Sequence, residues 1–138
     1  MTSKILPVLA IIGALALTGC TGPGPSASPS PEKKELGEVS TVSELRDGLV
    51  KAGFPCETWD QTDVVIGAAQ SGTCSKGTVL STFTSADAAQ KSADKTKALV
   101  GELIDLSLLV GPNWIINDPR AEAMQKELGG VVVSTKAK

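Results

Sequence analysis

The stretch Thr21 to Pro31, TGPGPSASPSP, decides how this chain can be divided. Four prolines set among Gly, Ser and Ala offer no apolar side chains for a core, and each proline lacks a backbone donor. Glu32 to Glu38 continues the stretch with charge and no apolar period, so an extended spacer is expected. Before it, Lys4 precedes an apolar run from Ile5 to Leu17 that only Pro7 interrupts. As a helix that run would reach about 20 Å, short of a hydrocarbon layer of roughly 30 Å, and it suits an export leader better than a permanent span. Three parts follow: 1–19 as a signal peptide, 20–38 as a tether starting at Cys20, and 39–138 as one small domain.

The leader closes on Leu17-Thr18-Gly19-Cys20, which resembles the lipobox of bacterial lipoproteins. The resemblance implies a diacylglyceryl group on the Cys20 sulfur and cleavage before it. It also implies a mature protein held on the extracytoplasmic face of the cell membrane. Two acyl chains, at about 0.8 kcal/mol per buried CH₂, make a stable anchor where one does not. The tether, at about 3.1 Å per residue in polyproline II form, would then lift the domain by up to roughly 55 Å.

That compartment bears on the three cysteines. Cys20 is assigned to lipid, and Cys56 and Cys74 remain as an even pair in oxidising surroundings, where a disulfide is expected. The two are not spaced C-x-x-C, and without a histidine in the chain no Cys/His zinc shell can be completed. Thirteen basic and 15 acidic residues form no basic block, so the electrostatic footprint of nucleic-acid binding is missing.

Within the domain, Thr41-Val42-Ser43-Glu44 has the form of a capping box, and Val42, Leu45 and Leu49 follow at helical spacing up to Gly53. Cys56 to Trp59, Val64 to Cys74 and Thr78 to Thr84 read as three successive strands. An antiparallel pairing of the first two would make Cys56 and Cys74 neighbours. Thr84 to Asp87 caps a second helix whose stripe is Ala89, Ala93, Thr96, Val100 and Leu103. Leu108 to Ile116 reads as one central strand bent at Gly111-Pro112. Asp118-Pro119 opens a third helix over Ala121, Met124 and Leu128, stopped by Gly129-Gly130, and Val131 to Val133 is a last strand. The expected fold is α+β, a small mixed and mostly antiparallel sheet in the order α-β-β-β-α-β-α-β with helices packed on one face.

Gly111-Pro112-Asn113-Trp114, Pro119 and Leu128-Gly129-Gly130 give the last third of the chain a likeness to small secreted proteins and lipoproteins of actinobacteria. That resemblance implies a place in the cell envelope and no activity.

Chemistry is sparse. Ser92-Ala93-Asp94-Lys95 matches S-x-x-K, yet it falls inside a helix and no S-D-N or K-T-G accompanies it. The missing histidine excludes a Ser-His-Asp triad, a Cys-His pair and an H-E-x-x-H site. Glu57, Asp60 and Asp63 gather around one turn but lack the dense oxygen ligands of a calcium loop. Trp114 reads as core beneath two helices, with a second role in touching a partner or sugar at the Gly-Pro bend. No cofactor or metal is expected. The expectation is a non-enzymatic binding or accessory module, with the membrane as one partner and an envelope protein as the other. The alternatives are a phage- or plasmid-borne protective lipoprotein and, below it, a small hydrolase with an acid-based site.

Overall fold

The computed structural model describes residues 35–138, and the expected signal peptide, the expected lipobox and most of the expected tether lie outside them. The first helix, α1 (Val42–Lys51), begins where the side chain of Thr41 accepts from the amide of Glu44 at 3.1 Å. The Glu44 carboxylate reaches back one residue further than a capping box requires, to the amide of Ser40 at 2.8 Å. Gly53, at φ 92°, turns the chain out of α1 into the left-handed region.

Next come β1 (Trp59–Asp60), β2 (Gln70–Cys74) and β3 (Thr78–Thr82), joined as an antiparallel meander. β2 is shorter than its sequence suggests. The Ser71 hydroxyl accepts from the amides of Val64 (2.8 Å) and Val65 (3.2 Å) and donates to the carbonyl of Thr62. Residues 62–69 thus fold as a loop around one serine, and side-chain bonding of this kind competes with a strand ladder.

After α2 (Ala86–Val100), capped by Ser85, come β4 (Leu106–Val110), β5 (Trp114–Asn117), α3 (Ala121–Leu128) and β6 (Val131–Thr135). The segment expected as one bent strand is a hairpin. At Gly111-Pro112 the chain reverses fully, and Leu109 pairs with Ile116. A proline that cannot donate to a ladder is tolerated in the turn and not in a strand interior.

The fold is α+β, and all six strands join one antiparallel sheet in the order β1-β2-β3-β5-β4-β6. The expectation of helices on one face is corrected. β3 and β4 point the same way with β5 between them, and β5 and β6 point the same way with β4 between them. Both connections step in the same direction along the sheet but start from oppositely directed strands. Connections of one hand must then pass over opposite faces.

Burial agrees. Val42, Leu45 and Leu49 of α1 and Ala121, Met124 and Leu128 of α3 pack with Leu80, Leu109, Trp114 and Ile116 on one face. Ala89 and Ala93 of α2 pack with Phe83, Leu106, Leu108, Val110 and Ile115 on the other. Two small residues at 0% exposure let α2 lie close to the sheet. Its stripe ends sooner than its spacing suggests. The amides of Leu103 and Ile104 both turn back to the carbonyl of Val100, which leaves Leu103 75% exposed.

The domain also starts earlier than residue 39. Leu36 donates its amide to the carbonyl of Leu128 at 2.8 Å, and its side chain lies in the notch left by Gly48. A single leucine among charges carries no period, so only the notch it fills reveals it.

Candidate functional site

Asp118 follows the end of β5, where the sheet gives way to α3, and it is the one buried charged residue among those described, at 2% exposure. Three groups hold its carboxylate. The Thr78 hydroxyl at the start of β3 donates to Oδ2, the amide of Arg120 donates to Oδ1 at 2.7 Å, and the Arg120 guanidinium donates to both oxygens at 2.9 Å. The Asp118 carbonyl accepts from the amide of Ala121, so one residue organises the turn that leads into α3 with both its backbone and its side chain. The expectation of Asp118 at the cap and Pro119 as the first helical residue is corrected: residues 119 and 120 form a turn, and the helix starts at Ala121 with Arg120 before it.

Burial pushes the Asp118 carboxyl up, but the Arg120 guanidinium, the Thr78 hydroxyl and the Arg120 amide together hold it below the usual carboxylate range. Arg120, in turn, is raised by its bond to Asp118. Its side chain is half exposed and lies over the Phe54 ring, with 5.6 Å from the guanidinium carbon to the ring centroid. Pro55, Glu57, Ser75, Thr78, Pro119 and Arg120 enclose a cleft of about 340 Å³ over this pair.

The disulfide stands beside that cleft. Cys56 and Cys74 are bonded with Cα atoms 5.0 Å apart, as expected for the pair left once Cys20 is set aside. Their proximity comes from the β1–β2 pairing, in which Trp59 is opposite Cys74. The Trp59 ring also lies close against Gly72, where any Cβ would meet its Cη2 at 2.4 Å. The bridge therefore pins the segment carrying Pro55 and Glu57 against the strand that leads to Ser75 and Thr78.

A carboxylate paired on both oxygens is a weak base, and the guanidinium that pairs it keeps its proton at any physiological pH. The arrangement fixes a corner of the fold and presents Arg120, Glu57 and Ser75 around a shallow opening. It suits recognition by hydrogen bonds better than proton transfer.

The remaining residues singled out in the sequence fall elsewhere. Cys20 lies outside the described residues. Trp114 is fully buried at 0% exposure, and its Nε1 donates to the carbonyl of Gly37 at 3.0 Å, so its ring is core and offers no surface to a partner. Ser92 sits half buried in the middle of α2, remote from the cleft lining. Glu57, Asp60 and Asp63 do not converge as ligands, and no group of three acidic or cysteine side chains placed to hold a metal occurs among the described residues.

Sequence reasoning missed two side chains that shape this domain. Asn113 accepts from the amide of Val39 (2.9 Å) and donates to its carbonyl (2.8 Å), closing the N-terminal segment onto the β4–β5 turn. Gln70 accepts from the amide of Val42 at the start of α1. Both bonds join residues distant in sequence, and no local spacing announces them. No family model matches this chain, and no curated protein or solved structure is significantly similar to it.

Proposed function

We propose that this protein is a lipid-anchored extracytoplasmic lipoprotein whose domain binds or assists another component of the cell envelope without catalysing a reaction. The observation that carries the reading is the tetrad Leu17-Thr18-Gly19-Cys20 at the end of an apolar leader, followed at once by a proline-rich spacer. The Cys56–Cys74 disulfide supports it, since such bridges persist in oxidising compartments.

The layout of the domain supports a binding role. The chain joins the fold through Leu36, Gly37 and Val39 at the end of the sheet marked by Asn113. The opposite end carries the Arg120 cleft and the exposed side chains of Leu103 and Ile104. A chain gripped from its N-terminal side offers that opposite end to partners, and tethering raises the local concentration of each for the other.

Mass spectrometry of protein extracted from native envelopes tests the anchor. The expected product begins at Cys20 with acyl groups on its sulfur. An intact leader, or a free thiol at Cys20, would overturn the reading. For the partner, photocrosslinking from position 103 in intact cells should give one specific adduct, whereas a smear of abundant proteins would count against a dedicated ligand.

A further inference from the structure

The two edges of the sheet are built differently. β1 is only two residues long, bears Asp60, and lies next to the disulfide, so it offers little to a neighbouring strand. β6 runs five residues, Val-Val-Val-Ser-Thr, with no charge and no proline, and it pairs with β4 on one side only. Among the described residues nothing pairs with its outer side. Soluble domains usually blunt such an edge with a charge, a proline or a bulge, because its free amides and carbonyls are a template for another strand. Val131 adds an apolar side chain at 62% exposure.

We propose that β6 is a self-association edge, at which two copies of this chain pair antiparallel about a two-fold axis to make one continuous twelve-stranded sheet. An antiparallel edge accepts a strand running the opposite way, and a two-fold axis through the middle of β6 supplies one from a second copy with the same surface. With the axis at Val133, the two Val133 residues face each other and Val131 faces the partner's Thr135. Every opposed pair is then apolar or uncharged.

The charge on α2 selects a second copy over an unrelated strand. α2 runs alongside β6, with Asp87 and Gln90 lining one cavity with Val131, while a Cβ on Gly101 would lie 3.0 Å from Thr135. The level of Val133 therefore falls midway between Gln90 and Gly101, which is between Asp94 and Lys97. Both line the β6 side of the helix together with Thr135 and Lys136. Neither takes part in an ion pair among the described residues. The two-fold that joins the β6 strands sets the two α2 helices antiparallel, with each Asp94 opposite its partner's Lys97. The complementarity is built into one helix face and appears only when that face meets itself.

The test uses the full chain in the cells that make it. Ser134→Cys, at an exposed position near the axis, treated with a short bismaleimide, should double the apparent mass on a denaturing gel. Val50→Cys, exposed on α1, and the parent chain should not, and the parent lane also reads any reactive thiol at Cys20, so a failed anchor is not mistaken for a failed dimer. Adding Val131→Lys to Ser134→Cys should abolish the doubled band, and Asp94→Lys should weaken it, with recovery in Asp94→Lys combined with Lys97→Asp. Retention of the Cys56–Cys74 bridge in each variant reports that it folds. A single-mass band for Ser134→Cys, a doubled band that survives Val131→Lys, or an adduct only with a different protein would each overturn the proposal.

Discussion

Replacing Asp118 with alanine removes three things at once, and their sum can be worked from the geometry. The turn into α3 loses the acceptor for the Arg120 amide, which costs about 1 kcal/mol. The Thr78 hydroxyl, at 4% residue exposure, loses its carboxylate acceptor, which costs about 1 to 2 kcal/mol for a buried unsatisfied group. The ion pair to Arg120 contributes little beyond this, because that side chain is half exposed and water replaces the carboxylate. The expected total is about 2 to 3 kcal/mol, which for a domain of this size lowers Tm by roughly 8 to 24 °C.

The pH dependence gives a second, independent readout. The folded pKa of Asp118 lies below its unfolded value of about 3.9, so the charged carboxylate stabilises the fold at neutral pH. That contribution is fully present above the unfolded value and is lost as the pH falls below about 4 through the folded one. Thermal unfolding of the parent chain and of Asp118→Ala, followed by circular dichroism from pH 7 to pH 2, should show a constant gap down to about pH 5 that narrows in more acid. Asp118→Asn, which keeps an acceptor for the Arg120 amide, should fall between the two at neutral pH. A drop of less than 3 °C in Asp118→Ala, or a gap that does not narrow in acid, would refute the assignment of Asp118 as the charged organiser of this corner.

Two further expectations rest on other contacts. Cys56→Ser paired with Cys74→Ser opens a loop with a sequence separation of 18 and should cost about 3 kcal/mol in the chain-entropy description, read as a lower urea midpoint that matches the reduced parent chain. Gly111→Ala would place a Cβ 2.0 Å from Cε2 of Trp114, against a fully buried ring. The variant should lose more than 3 kcal/mol or fail to fold, with Trp114 fluorescence shifted to the red; an unchanged spectrum and midpoint would show that the ring has room to move.

Much of the fold is legible in the chain because its signals are local. Thr41 announces one helix start, the stretch Thr84 to Asp87 a second that Ser85 caps, and Asp118-Pro119 the turn into a third; the spacing of Val42, Leu45 and Leu49 fixes the buried side of α1. The Asp87–Lys91 pair forms at 2.8 Å as its i, i+4 spacing allows. The errors share one cause. Val64-Val65-Ile66 looks like the start of a strand until Ser71 captures its amides, and Leu108 to Ile116 looks like one strand until β4 and β5 are seen to pair. In both cases a contact between residues apart in sequence overrides local propensity.

By itself the sequence determined the α+β class and the candidate disulfide, and it set the expected division into leader, spacer and domain. Composition, turn residues and a two- or 3.6-residue period act over a few positions and need no partner to be read. Only the tertiary structure decided that the helices take opposite faces, that Leu36 belongs to the domain, that Trp114 is sealed inside, and that Asp118 is buried against Thr78. Strand order settles these, because the direction in which each connection crosses the sheet determines which face it covers and which polar groups are taken out of water.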